Sequence, residues 1–166
     1  SEDTYILNGE EQVLMPHFTF HGFRYAAVTG IKEPKPEMFT ACVMHSDMRK
    51  TGDFHCSNEK VNRLQSNIAW SLRDNFFDIP SDCPQRDERL GWMGDSQVFS
   101  WTAAFNRETA LFFTKWMRDV SAASSLEQGV PHIVPDIQGT YSSAAWSDAA
   151  VIIPWVVYQT YGDVRI

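Results

Sequence analysis

A chain of 166 residues is long enough for one ordinary domain or for parts of two. Its apolar share of 43% with 21% charged residues, free of low-complexity runs, excludes an intrinsically disordered class. The net charge of −7, with no Lys/Arg cluster interleaved with aromatics, argues against a phosphate-backbone binder, so nucleic acid is not an expected partner.

In chain order, the first pattern is β-type. From about Gln12 to Val43, Phe18, Phe20, Phe23, Tyr25 and Ala27, then Phe39, Ala41 and Val43, show a broken alternation of period two. Gly22, Gly30 and the pair Pro34/Pro36 punctuate it. These strands are too few to close a sandwich and are expected to end a β domain over residues 1–52. After Thr51-Gly52 the period becomes helical. Ser57 or Asn58 is placed to cap a helix with Val61, Leu64, Ile68 and Leu72 on one face, ending before Pro80. A second helix carries Val98, Trp101 and Phe105, with Asp95 as candidate cap. A third, capped at Asn106, carries Phe112, Phe113, Trp116 and Val120. A fourth runs from Asp148 to Tyr161-Gly162, with Pro154 in its first turn or kinking it. The expected class is mainly α, with helical hairpins over residues 53–166.

Between the first two helices lies Pro80-Ser81-Asp82-Cys83-Pro84-Gln85-Arg86-Asp87-Glu88-Arg89-Leu90-Gly91-Trp92-Met93-Gly94-Asp95. Its prolines and glycines oppose a regular helix, so a long structured loop presents four carboxylates, two guanidinia and an indole, and such loops are where function concentrates. Two carboxyl groups in different surroundings are what glycoside hydrolysis requires. Taken alone, Arg-Asp-Glu-Arg also fits a solvated, mutually neutralising patch, Asp95 a helix cap and Trp92 a core residue.

The remaining candidates are weaker. His17, His21, His45, His55 and His132 lack the i,i+4 spacing of a helical metal pair, and Cys42, Cys56 and Cys83 lack that of a zinc site or disulfide framework. No metal or cofactor is expected, and the three cysteines read as buried free thiols. That cysteine usage inclines toward a reducing cytoplasm, with periplasmic and secreted versions open. No segment reaches the roughly eighteen apolar residues of a membrane span, and Ser1-Glu2-Asp3-Thr4 does not read as a signal peptide. Trp70, Trp101, Trp116 and Trp155 read as core on apolar stripes. Asp136 and Asp148 read as turn or cap residues that also have the reach for a pocket.

The loop resembles the signature of the bacterial α-L-rhamnosidases in Cys83-Pro84-Gln85-Arg86-Asp87-Glu88-Arg89, then Gly91-Trp92 and Gly94-Asp95. The likeness extends to His21-Gly22-Phe23-Arg24-Tyr25, His45-Ser46-Asp47-Met48, Val130-Pro131-His132-Ile133-Val134-Pro135-Asp136 and Ala145-Trp146-Ser147-Asp148-Ala149-Ala150. The resemblance implies an inverting glycosidase with an (α/α) six-hairpin toroid, here partial and preceded by the end of a β domain. It implies Glu88 as general acid, Asp82, Arg86 and Asp95 as ligands of the rhamnose hydroxyls, and Trp92 and Trp146 as walls of the sugar pocket. The expected partner is a rhamnose-containing glycoside. Met93, where a small polar residue is expected, and Ser147, where Gly is frequent, depart from the pattern and bear on substrate range.

The family's general base, a later Glu, is expected beyond Ile166, so these residues alone are expected to be silent. An opened toroid leaves apolar helix faces uncovered, and either self-association or marginal stability is the expected result. The alternatives are another inverting toroid glycosidase, trehalase-like or glucoamylase-like, and a carbohydrate-binding module without turnover.

Overall fold

Asn58 is the residue on which the helical part begins: its side chain accepts from Lys60 N and caps α1, Glu59–Asn75. The structure, a computed structural model, describes residues 1–139 and 141–166. Strands β1 (Phe76–Phe77) and β2 (Ile79–Pro80) form a two-residue antiparallel hairpin directly after α1, turning through Asp78 at φ 65°. The signature loop then leads into α2, Met93–Asn106, followed by α3, Ala110–Ala123, and α4, Ala149–Tyr161. Gly162 ends α4 in the left-handed conformation, φ 70°, where a side chain would be strained.

Helix α4 packs against both α2 and α3. Ile153, Val156 and Val157 are buried on it, and the buried face of α2 carries Met93, Ser96, Ser100, Ala103 and Ala104. Small residues at this spacing let the two backbones approach, and Pro154 lies in the interior of α4. The centre is aromatic. Phe76 stacks on Phe112 at 4.7 Å and meets Phe113 edge-on at 5.9 Å, arrangements that add to plain area burial. Trp116 is wholly buried and its indole N–H donates to Val134 O at 3.2 Å, which ties α3 to the segment before α4. Tyr161 Oη accepts from Thr109 N at 2.9 Å and donates to Arg107 O, joining the end of α4 to the α2–α3 turn.

Several expectations are corrected. Gln12 to Val43 hold no strand, only a 3₁₀ turn at Pro36–Met38, because no second run lies alongside to complete a ladder. On α2 the apolar stripe Val98, Trp101 and Phe105 faces outward, and the small-residue face is the buried one. Val61 and Leu64 of α1 are exposed and only Leu72 is buried, so that helix joins the core at its C-terminal end. Of the four tryptophans read as core, Trp116 is buried while Trp70, Trp101 and Trp155 are exposed. Asp95 lies in the first turn of α2, whose cap position is Trp92, and Asn106 closes α2 while Thr109 precedes α3. Cys83 is buried, but Cys42 is exposed and Cys56 half-buried; all three are free. Among the described residues no helix is long and apolar enough to cross a membrane.

Candidate active site

The loop from Ser81 to Trp92 is closed at its neck by Asp82. Its N–H donates to Leu90 O at 3.0 Å, and its Oδ1 accepts from Leu90 N at 2.9 Å. One carboxylate oxygen is thus spent on loop shape, and the side chain is 8% exposed. Oδ2 faces the Arg86 guanidinium at 3.9 Å. Arg86 Nε donates to Glu88 Oε2 at 2.9 Å, and Trp92 Nε1 donates to Glu88 Oε1 at 3.1 Å. Both oxygens of Glu88 are therefore held, one by an exposed guanidinium and one by an indole seated where the loop enters α2.

That seat is built by close backbone approach. Gly91 O accepts from Val134 N at 2.9 Å and Met93 N donates to His132 O at 2.8 Å, on either side of a bridge between Trp92 and Ile133. A Cβ on Gly91 would stand 2.1 Å from Val134 O, so only glycine admits this contact. Gly94 serves similarly, with the Trp146 indole lying over it and an added Cβ only 3.2 Å from the ring. Trp146 also leans on His132, ring centroids 5.6 Å apart. Ser147, one of the two departures from the family pattern, donates to Val130 O and accepts from Ser143 N, pinning the turn that carries Trp146. Met93, the other, is wholly buried in the core.

Asp82, Asp95, Gly94 and Trp146 line one cavity of about 570 Å³, completed by Ser71 and Asn75 of α1, Gln97 and Val98 of α2, and the Phe76–Ser81 turn region. Asp95 is pushed above the ordinary carboxylate range, first by partial desolvation and then by the charges of Asp82 and Glu88, against an opposing contribution from its own backbone amide. The three carboxyls are thus electrostatic neighbours. Burial pushes the Cys83 thiol up, with Asp82 adding to it. The Asp82, Cys83 and Glu88 ligand atoms lie within 4.8 Å of one another, a spacing a metal ion also accepts, but Arg86 already supplies the positive charge between the two carboxylates.

Of the residues expected from sequence, Asp82, Asp95 and Trp146 line the cavity, while Arg86, Glu88 and Trp92 do not and form a hydrogen-bonded chain that approaches it through the Arg86–Asp82 pair. Asp136 turns its carboxylate onto Gln138 N and Gly139 N, and Asp148 accepts from Ala145 N, as turn-forming residues do. Sequence reasoning missed Ser71, Asn75 and Gln97, polar positions on helices with no motif to mark them. It missed the steric roles of Gly91 and Gly94 too, although two glycines flanking Trp-Met at a helix start are a legible signal of close approach.

Residues 49–166 match the family model for the bacterial α-L-rhamnosidase six-hairpin glycosidase domain, and residues 1–45 match that for the bacterial α-L-rhamnosidase concanavalin-like domain. The chain belongs to the bacterial α-L-rhamnosidase family. An α-L-rhamnosidase of Formosa agariphila is 47% identical over all of this chain, and one of Streptomyces avermitilis is 43% identical over 99% of it. These residues span 18% and 16% of those two proteins, under a fifth of the curated relatives they match. Among solved structures, the α-L-rhamnosidase of Dictyoglumus thermophilum superimposes with a TM-score of 0.70 at 40% identity, covering 72% of this chain and 14% of the other. The Streptomyces avermitilis α-L-rhamnosidase complexed with L-rhamnose gives 0.70 at 42% identity, covering 72% and 12%. The mainly helical arrangement is thus that of part of a six-hairpin glycosidase domain.

Proposed function

We propose that these residues form the substrate-holding and acid half of an inverting α-L-rhamnosidase site, acting on terminal α-L-rhamnose of glycosides or polysaccharides. Glu88 protonates the departing glycosidic oxygen. A second carboxylate, contributed from outside these 166 residues and about 6.5–9.5 Å from the acid, activates the attacking water. Asp82, Arg86 and Asp95 take the sugar hydroxyls through charge-assisted hydrogen bonds, and Trp92 and Trp146 wall the methyl-bearing face. On this reading residues 1–52 close a β domain, and 53–166 begin the toroid.

The observation that carries the proposal is the placement of Glu88. Trp92 and Arg86 hold its carboxyl, Arg86 also faces Asp82, and the Glu88 charge reaches Asp95, so Glu88 is coupled to a cavity whose wall combines those two carboxylates with the Trp146 indole. Recognition of a deoxysugar needs that pairing of polar and apolar surface. The test is Glu88→Gln in the complete polypeptide containing these residues. Hydrolysis of α-L-rhamnosides with poor leaving groups should fall by roughly two to four orders of magnitude, and activated aryl rhamnosides should suffer far less. Near-normal turnover on poor leaving groups would remove Glu88 from the role. A panel of nitrophenyl glycosides checks the substrate class, with appreciable cleavage expected only for the α-L-rhamnoside.

A further inference from the structure

Between residues 1 and 44 only Thr19–Gly22 are half-buried rather than exposed, and two of them, Phe20 and Gly22, meet the signature loop. Gly22 N donates to Pro84 O at 3.0 Å, and a Cβ on Gly22 would stand 2.8 Å from Pro84 C and 3.1 Å from Gln85 Cα. Arg89 reaches the same strap from the other end of the loop. Its guanidinium donates to Phe20 O and lies over the Phe20 ring, 5.1 Å from the centroid. Phe20 in turn packs on Phe77 of β1, centroids 5.0 Å apart. The segment Pro84–Arg89 is therefore gripped at both ends by one extended stretch, and the grip is anchored to the hairpin that follows α1.

Arg89 is the neighbour of Glu88 in the chain, yet the two side chains serve different partners. Arg89 adopts a left-handed backbone, φ 49°, a conformation costly for a residue with a side chain unless contacts hold it there. Here the contacts with Phe20 provide that hold. A backbone turned at residue 89 sets the direction of the residue before it, and Glu88 then meets Arg86 and Trp92 rather than solvent.

We propose that Phe20, Gly22 and Arg89 are positioning residues for the general acid: the strap Phe20–Gly22 fixes the loop so that Glu88 points at the leaving oxygen. The proposal rests on Glu88 being the acid. It makes the segment before the helical part a determinant of catalysis rather than a spacer, and it predicts a defect confined to the step that needs proton donation.

The test compares Arg89→Met, Arg89→Lys and Gly22→Ala in the complete polypeptide, with kcat and KM for an alkyl α-L-rhamnoside and for a dinitrophenyl α-L-rhamnoside. Arg89→Met and Gly22→Ala should lower kcat on the alkyl substrate by about 10- to 100-fold, within the range that acid catalysis supplies. KM should be unchanged and the dinitrophenyl rate should stay within about threefold, since a good leaving group needs little protonation. Arg89→Lys should fall between, because an ammonium still donates to Phe20 O but does not stack as a planar guanidinium does. A merely structural role would lower both rates together, and that result, or no loss on the alkyl substrate, overturns the proposal. Glu88→Gln run in parallel separates the two ideas. Selective loss in Glu88→Gln without it in Arg89→Met rejects the strap alone, whereas no selective loss in Glu88→Gln rejects the acid assignment on which it rests.

Discussion

Asp82 and Asp95 belong to one cavity wall but carry different loads. Asp82 spends an oxygen on Leu90 N and keeps the loop neck closed, so its removal would cost shape as well as any ligand contact. Asp95 makes no such closure, and its carboxyl is raised from the usual 3.8 by partial desolvation, reinforced by Asp82 and Glu88. A carboxyl raised in the folded state holds its proton more tightly there than in the unfolded chain, so stability falls as pH climbs from the ordinary carboxylate range through the raised value. At neutral pH the ionised Asp95 therefore works against the fold. Asp95→Asn should melt at a higher temperature than the parent at pH 7, with the difference shrinking as pH is lowered below about the ordinary 3.8. Thermal melts across that range check it, and a lower melting temperature at pH 7 would contradict the linkage. Loss of rhamnoside hydrolysis in the stabilised variant is the expected companion, since sites commonly trade stability for function.

The contact that seats the start of α2 is a backbone crossing, not a side-chain contact. Gly91, Trp92 and Met93 run against His132, Ile133 and Val134, and Trp116 of α3 binds Val134 O from beneath. Helix α2, helix α3 and the segment before α4 thereby share one junction, on which the Trp92 indole and hence Glu88 depend. Gly91→Ala places a Cβ where Val134 O already is and forces the two backbones apart. The expected cost is about 1–3 kcal/mol, the usual range when extra volume shifts backbone. Urea unfolding measures it, and an unchanged midpoint would mean that the crossing yields without loss. If Glu88 is the acid as proposed, rhamnoside turnover in the complete polypeptide should also fall, because the displaced segment carries Trp92, whose indole donates to Glu88.

Viewed whole, the four helices hide one apolar surface and present another. Val98 at 79% exposure, Phe105 at 75%, Leu111 at 85% and Val151 at 72% lie on the outer faces of α2, α3 and α4. Exposed apolar patches beyond a few hundred Å² ordinarily find a partner. The 166 residues expressed by themselves should therefore associate, and light scattering or sedimentation should report a mass above one chain. On the proposed reading, in which the base comes from outside these residues, they should also show no turnover of an activated α-L-rhamnoside, because inversion needs two carboxylates a water's width apart. Turnover comparable with a complete relative would place the base at Asp82, Asp87, Asp95, Asp136 or Asp148 and would sink the reading of these residues as half a site. A monodisperse single chain would show that the outer faces are tolerated in water.

Much of this is legible in the amino-acid sequence alone. Helical period after Thr51-Gly52 located four helices, because a buried face must recur every three to four residues whatever it packs against. The Pro- and Gly-rich stretch from Pro80 to Asp95 announced a structured loop, whereas an acid, hydroxyl ligands and a sugar wall were implied by its resemblance to the α-L-rhamnosidase signature and not by its residue types alone. What periodicity does not encode is which partner meets which face. Val98, Trp101 and Phe105 made the more hydrophobic stripe of α2, yet the face it buries carries Ser96, Ser100 and Ala103, whose small side chains allow close approach. The alternating run before Val43 formed no strand, since a ladder requires a neighbouring run and none of the described residues lies alongside it as one. The grip of Phe20 and Gly22 on the loop joins residues some sixty positions apart through a carbonyl, a ring face and a missing Cβ, none of which leaves a local pattern. Local chemistry was written in the chain; the choice of contacting faces, and with it the direction of Glu88, was decided only by three-dimensional packing.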